Sequence, residues 1–322
     1  MIEVKSVTKR YGDIVAVNNI SFTAESGKIY GFLGPNGAGK TTTMSIITGC
    51  LAATSGTVTI EGHDIYEEPY EAKKALGYMP EVPPLYPEMT PREYLWFVGE
   101  AKGVKKDELG KQIDSALRRV RIADVKDRLI RNLSKGYRQR VGFAQAIIGH
   151  PRTIILDEPT AGLDPRQIIE MRELIRDLRK DHTVVLSSHI LSEVSAVCDY
   201  ILIISKGNLV ASDTTENLLR RFHDRNALNL TVKGAPEMIR SALSGLDGVA
   251  NFAVKEQNER GESDVTIELA DATDRRDRIS RALINSDCLI LSMTGAEISL
   301  EDVFLRLTNE RNRGRGSDAG GI

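Results

Sequence analysis

Residues 2–7 alternate apolar and polar side chains, the period of a strand with one face in water, whereas residues 28–33 are almost continuously apolar, as in a strand buried on both faces. The second run ends in a glycine-rich turn, and residues 41–48 beyond it have helical composition. Three more short apolar runs, 153–156, 183–186 and 200–204, have strand length. A helix is predicted over 167–180, with Ile168, Met171, Leu174, Ile175 and Leu178 on one face. Lys206-Gly207-Asn208 reads as a hairpin turn into a strand at 209–211. Buried strands alternating with helices predict an α/β fold around a mostly parallel sheet.

The segment 80–87 carries Pro80, Pro83, Pro84 and Pro87 and reads as a loop. Thr90-Pro91-Arg92-Glu93 then has the residues of a capped helix start, with Tyr94, Leu95, Phe97 and Val98 inside the helix. From there to about Gly149 the chain reads as mostly helical. The composition changes at 223–226, a charged stretch where the first domain, 1–222, is expected to end. Over 226–310 the expected order is strand (228–232), helix (236–244), strand (249–254), strand (264–269), helix (275–286), strand (288–293) and helix (299–308). The βαββαβ part of that order suggests a small α+β domain of ferredoxin-like type. The last helix has Ser299 and Asp302 spaced as a capping pair and a stripe of Leu300, Val303, Phe304 and Leu307. Residues 311–322 are rich in Gly and Arg, have little to bury and are expected to be disordered.

A chain of 322 residues with 41% apolar residues suits two domains with packed cores. Its net charge of -2 supplies no basic field, so no nucleic-acid partner is expected. Cys50, Cys198 and Cys288 have no metal-site or redox spacing and read as small core residues in a reducing compartment. No apolar stretch approaches the roughly 20 residues that cross a bilayer, and the N-terminus has no leader-like apolar run. Any membrane role is therefore expected to run through a partner.

Gly34-Pro35-Asn36-Gly37-Ala38-Gly39-Lys40-Thr41 fits G-x-x-x-x-G-K-[ST], between a predicted strand and a predicted helix. The glycines let successive backbone N–H groups turn inward, and the helix start adds its own donors, which together favour a polyphosphate. Lys40 can reach the β- and γ-phosphates, and the Thr41 hydroxyl can ligate Mg²⁺; Thr42 completes the candidate nucleotide-binding stretch. The apolar run ending in Asp157-Glu158 supplies two adjacent carboxylates at a strand tip. Asp157 suits Mg²⁺, and Glu158 suits the polarising of an attacking water. ATP with Mg²⁺ is the expected cofactor pair.

With both motifs placed, residues 1–211 resemble the nucleotide-binding subunit of ABC transporters, and the fold implied is a P-loop NTPase of the ABC ATPase type with a helical subdomain. Leu133-Ser134-Lys135-Gly136-Tyr137 is similar to the family's LSGGQ signature, matching at Ser134 and Gly136 and departing at Lys135 and Tyr137. In the family this segment contacts ATP held by the opposite subunit, so the resemblance implies a head-to-tail dimer, of two like chains or of paralogues. Tyr11 stands where the family has an adenine-stacking aromatic, though a strand-edge tyrosine is also an ordinary feature. Ala161-Gly162-Leu163-Asp164 resembles the D-loop, and His189 the switch histidine that contacts the γ-phosphate. Glu81 occupies the Q-loop position where many members have glutamine; its carboxylate could ligate Mg²⁺ but would repel the phosphate.

These variants, with the appended domain, resemble the prokaryotic branch that powers multidrug, polysaccharide, lipid and gliding-motility-type export. The resemblance implies an integral membrane permease as partner and a position on the cytoplasmic face of the membrane. Trp96 and Phe97, near Glu81, are candidates for the docking patch or for core packing. The competing reading is a soluble ABC ATPase acting on a ribosomal or DNA-associated complex; the single phosphate loop and the lack of a long heptad stretch speak against it. The C-terminal domain has no phosphate loop of its own, and regulation or dimer contact is expected of it.

Overall fold

The computed structural model describes residues 1–222, 227–271, 273–295 and 300–313. They form two compact units, one of Met1–Thr215 with the stretch from Phe304 onward, the other of Glu216–Val303. The division falls earlier than the boundary expected from composition, and residues 223–226 lie outside the described ones.

The first unit holds two sheets. One has the order β2-β1-β4-β5, from β1 (Ile2–Tyr11), β2 (Ile14–Ala24), β4 (Ser55–Ile60) and β5 (His63–Asp64), with every neighbouring pair antiparallel. The other has the order β10-β9-β3-β8-β7-β6, from β3 (Ile29–Leu33), β6 (Leu76–Met79), β7 (Thr153–Leu156), β8 (Thr183–Ser188), β9 (Tyr200–Ser205) and β10 (Asn208–Asp213). Its pairings are parallel except for β9 with β10, which a two-residue turn joins. Lys206 and Gly207 both have positive φ (48° and 76°) in that turn, the backbone that matches strand twist in a tight hairpin. Every residue of β3 and β7 is buried, as continuous apolar runs in a covered parallel sheet must be.

The helix α1 (Lys40–Ile47) buries Met44, Ile46 and Ile47 completely in one core shared with residues of both sheets. The short α2 (Pro69–Lys74) precedes β6. Between β6 and β7 lie α3 (Pro91–Ala101), α4 (Lys106–Arg119) and α5 (Lys135–Ile147), the helical stretch expected from composition. Thr90 caps α3, and its reciprocal bonds with Glu93 form the capping box. Next come α6 (Pro165–Leu178), capped by Asp164, α7 (Leu191–Val197) and α8 (Thr215–Phe222). On α6, Met171, Leu174, Ile175 and Leu178 are buried as expected, while Ile168 is half-buried.

The second unit is built on β11 (Ala227–Lys233), α9 (Pro236–Leu243), β12 (Val249–Val254), β13 (Glu262–Leu269), α10 (Arg276–Asn285) and β14 (Leu289–Gly295). Its antiparallel sheet has the order β12-β13-β11-β14, the ferredoxin-like arrangement. Alternation places Leu228, Leu230, Val232, Val265 and Ile267 in one core with Ile239 and Leu243 of α9 and Ile279 and Leu283 of α10.

Two expectations need correction. Cys50 is exposed, because Gly49 (φ 66°) turns the chain outward at the end of α1; Cys198 is half-buried, and only Cys288 is a buried core residue. The last helix, α11 (Leu300–Arg313), runs three residues into the stretch expected to be disordered, and residues 314–322 lie outside the described ones. The proposed capping role of Ser299 also falls outside them.

Candidate active site

Strands β3, β8, β7 and β6 are mutual parallel neighbours, so the segments that follow them emerge at one edge of the sheet. They enclose a cleft of about 280 Å³ lined by Asn36, Gly37, Gly39, Lys40, Thr41, Thr42, Glu81, Glu158, Ala161 and His189, with Ala16 at its margin. A crevice at the carboxyl ends of parallel strands is where open α/β sheets bind ligands.

The loop after β3 is held close to its surroundings. A Cβ on Gly34 would stand 2.5 Å from the Ile204 carbonyl oxygen, and one on Gly39 2.6 Å from that of Ala16. Gly39, with φ 103°, is also the residue that starts α1. That helix has no side-chain cap and no acidic residue in its first turn, whereas α3 and α6 are closed by their own side chains. Its first-turn N–H groups are therefore left for an anion. Lys40, 6% exposed, donates from Nζ to the Gly34 carbonyl (2.8 Å) and lies 3.4 Å from Glu158 Oε1.

Asp157 and Glu158 follow β7. The Asp157 N–H donates to the Met79 carbonyl (2.8 Å), which ties this turn to the end of β6. The Asp157 carboxylate is 1% exposed and accepts from the hydroxyls of Ser187 and Thr41. Burial pushes its pKa up, the neighbouring Glu158 and Glu81 charges push the same way, and the two hydroxyl bonds oppose them. Ser187 Oγ also accepts from the Glu158 N–H (2.9 Å), so one hydroxyl braces both acidic residues. Glu158 has φ 46°, a left-handed backbone uncommon for a residue with a side chain and held only where the surroundings fix it. Its Oε2 lies 2.9 Å from His189 Nδ1. The carboxylate is thus gripped between the Lys40 ammonium and the His189 ring.

Glu81, on the loop after β6, reaches the same cleft, and its carbonyl accepts from Gln139 of α5 (3.3 Å). Tyr11, Ser134 and Gly136 do not line the cleft. Tyr11 ends β1, is 49% exposed and has the Lys9 ammonium 5.2 Å from its ring centre. Ser134 is an exposed cap of α5, accepting from the Tyr137 N–H (3.4 Å), and Gly136 is buried against Gln167 of α6. Sequence reasoning missed Ser187, although it stands near the end of β8, two residues before His189. Among the described residues, no three His, Cys, Asp or Glu side chains converge to hold a metal ion by themselves, and no helix is long and apolar enough to cross a membrane.

A family model described as ABC transporter matches residues 17–161. The linearmycin resistance ATP-binding protein LnrL of Bacillus subtilis (strain 168) is 33% identical over 321 residues, spanning 97% of this chain and 100% of that protein. This chain belongs to the ABC transporter ATP-binding proteins. The bacitracin transport ATP-binding protein BcrA of Bacillus licheniformis is 32% identical over 309 residues, which cover 95% of this chain and 97% of that one. Among solved structures, the dimeric structure of a bacterial ABC transporter cassette superposes with a TM-score of 0.61 at 25% identity, covering 66% of this chain and 98% of that one. As an ABC ATPase the chain binds and hydrolyses ATP, and it is the subunit that energises a membrane transporter. The cleft at the end of β3, β7 and β8 is the part of this ATPase whose chemistry fits that work.

Proposed function

We propose that this ATPase drives an exporter from the cytoplasmic face of the membrane, as a head-to-tail pair bound to an integral membrane permease. The observation that carries the catalytic part is the Glu158 carboxylate, buried in the cleft with its two oxygens set against Lys40 and His189. When triphosphate enters, the α1 N-terminus and the glycine-loop N–H groups receive its oxygens, and Lys40 exchanges the Gly34 carbonyl for phosphate. Glu158 takes the proton of the attacking water, and the His189 Nδ1–H holds that carboxylate in place. Tyr11 offers an exposed face for the adenine.

The donor set fits Mg²⁺. Thr41, Asp157, Glu158 and Glu81 present oxygen atoms; burial raises the Asp157 pKa, and the nearby Glu158 and Glu81 charges, which push the same way, are what a cation would relieve. Mg²⁺ commonly uses one or two carboxylates with substrate phosphates, so no complete protein cage is required. Bound with the nucleotide, it would neutralise charge on the β- and γ-phosphates, held by Thr41 and Asp157 with Glu81 as a further oxygen.

Ser134 supports the paired arrangement. It lies outside its own chain's cleft, exposed, at the head of a helix whose first turn has no acidic residue. Such a helix start can meet the γ-phosphate held by a second copy. The relatives' names, bacitracin transport and linearmycin resistance, favour an antimicrobial compound as cargo.

The permease site follows from Glu81. That residue lines the cleft, and the loop beyond it carries the exposed Val82 (80%) and Tyr86 (48%), while α3 exposes Phe97 (45%) and Trp96 (37%). Tyr86 and Phe97 pack edge to face at 5.5 Å. Nucleotide-dependent movement at Glu81 would thus reach a partner seated on these side chains. A photo-cross-linking amino acid in place of Phe97 should capture a membrane-spanning protein in cells. Products confined to this chain itself would reject the docking site.

A further inference from the structure

Glu193 lies in the first turn of α7, is 6% exposed and does not line the cleft. A buried carboxylate is costly unless donors meet it, and two do. Its Oε2 accepts from Thr160 Oγ1 and from Ser188 Oγ (3.2 Å). Ser188 Oγ in turn accepts from the Ile190 N–H (3.0 Å), which fixes the turn around His189. Thr160 stands one proline beyond Glu158, and Ser188 directly precedes His189. A single carboxylate oxygen therefore joins the loop that carries Glu158 to the loop that carries His189, behind the place where those two side chains meet at 2.9 Å.

We propose that Glu193 is a positioning residue for hydrolysis, setting the separation of Glu158 and His189 without touching the nucleotide. The proposal rests on the roles given to Glu158 and His189 above. Both loops are short and follow separate strands, β7 and β8, so nothing in the local sequence of either dictates their relative placement. Ser187 ties the strand ends at the level of Asp157; Glu193 ties the loops further out, where the reacting groups stand. The effect belongs to the rate of the chemical step, because the bonds of Glu193 go to Thr160 and Ser188 and not to Lys40, Thr41 or the glycine loop.

The test is steady-state ATP hydrolysis with KM and kcat resolved, on the full chain. Glu193→Met, which keeps length but removes both acceptor bonds, should lower kcat about 10–100-fold, the usual cost of misplacing reacting groups by a fraction of an ångström to an ångström. KM for ATP should stay within about threefold, because ground-state binding is untouched. Glu193→Gln keeps an oxygen that can accept from both hydroxyls and should retain turnover within about threefold. In a His189→Ala background, Glu193→Met should cost less than about threefold more, since the two act as one unit. Equal losses in both backgrounds, or a KM that rises as kcat falls, would overturn the proposal. Thr160→Val with Ser188→Ala removes the same bonds from the other side, and full turnover there would overturn it too. Full turnover in His189→Ala would reject the underlying reading of His189 and this proposal with it. A loss in His189→Ala with none in Glu193→Met would reject only the part given to Glu193.

Discussion

The two units are made from similar material, β-branched strands alternating with amphipathic helices, yet among the described residues the candidate site lies in the first alone. In the first, β3, β8, β7 and β6 are parallel, so the loops after them gather Lys40, Glu81, Asp157, Glu158 and His189 at one edge. In the second, every neighbouring pair among β11–β14 is antiparallel, and loops that follow adjacent strands leave from opposite edges. The charged side chains there pair locally on the surface, as Asp271 does with Arg275 and Asp274 with Arg276. Hydrogen bonds from Thr273, with Arg275 behind them, hold Asp271 low, at about 2, and Arg276 does the same for Asp274, the reverse of the upward push on Asp157. Strand direction, more than composition, decides which unit can concentrate chemistry.

The contrast can be broken at the cleft. Glu158→Gln keeps the size of the side chain but removes the proton acceptor, and phosphate release should fall by about 10²–10⁴-fold. Nucleotide binding should survive, and the protein should accumulate as an ATP-dependent dimer on size-exclusion chromatography. Lys40→Ala should weaken ATP binding by about 1.5–3 kcal/mol, roughly 10–150-fold, on loss of a charge-assisted contact. Equal affinities by calorimetry would remove the loop from the site. The smallest effect is expected from the second unit. A chain ending after Phe222, which drops most of the second unit and the stretch from Phe304 onward, should bind ATP within about threefold of the full chain, because no residue lining the cleft lies beyond His189. A soluble truncated chain that bound no ATP would show the comparison of two separate units to be wrong.

The phosphate loop was legible because its requirement is local: eight contiguous residues, with glycine where the backbone turns or lies close to a carbonyl. The strands leading to Asp157 and His189 were legible from their short apolar runs, 154–156 and 184–186, and the ferredoxin-like order from the succession of strands and helices. The antiparallel sheet was mostly missed. Its β2 repeats no simple pattern, since Asn18 and Asn19 interrupt it and Asn19 takes φ 47° among shifts of register against β1. The strand β6 is four residues long and contains Gly77, whose place would bring a Cβ within 2.0 Å of the Ala146 carbonyl oxygen. Only tertiary packing makes that glycine informative. Ser187 and Glu193 escaped for the same reason: their partners lie on a different strand or loop, and a buried serine or a glutamate near a helix start signals nothing by itself.

The central claim is that each working site joins the Lys40 loop of one copy to the Ser134 helix start of another. Mixing two inactive chains tests it directly. Lys40→Ala disables the cleft, and Ser134→Glu, at an exposed position, sets a carboxylate against the phosphate expected across the interface. Each alone should release phosphate at background. Mixed in equal amounts, they should recover roughly a quarter of the unmodified rate, since random pairing makes about half the dimers mixed and each mixed dimer keeps one intact site of two. A mixture as inactive as its parts, or normal turnover by the Ser134→Glu chain alone, would contradict the head-to-tail site.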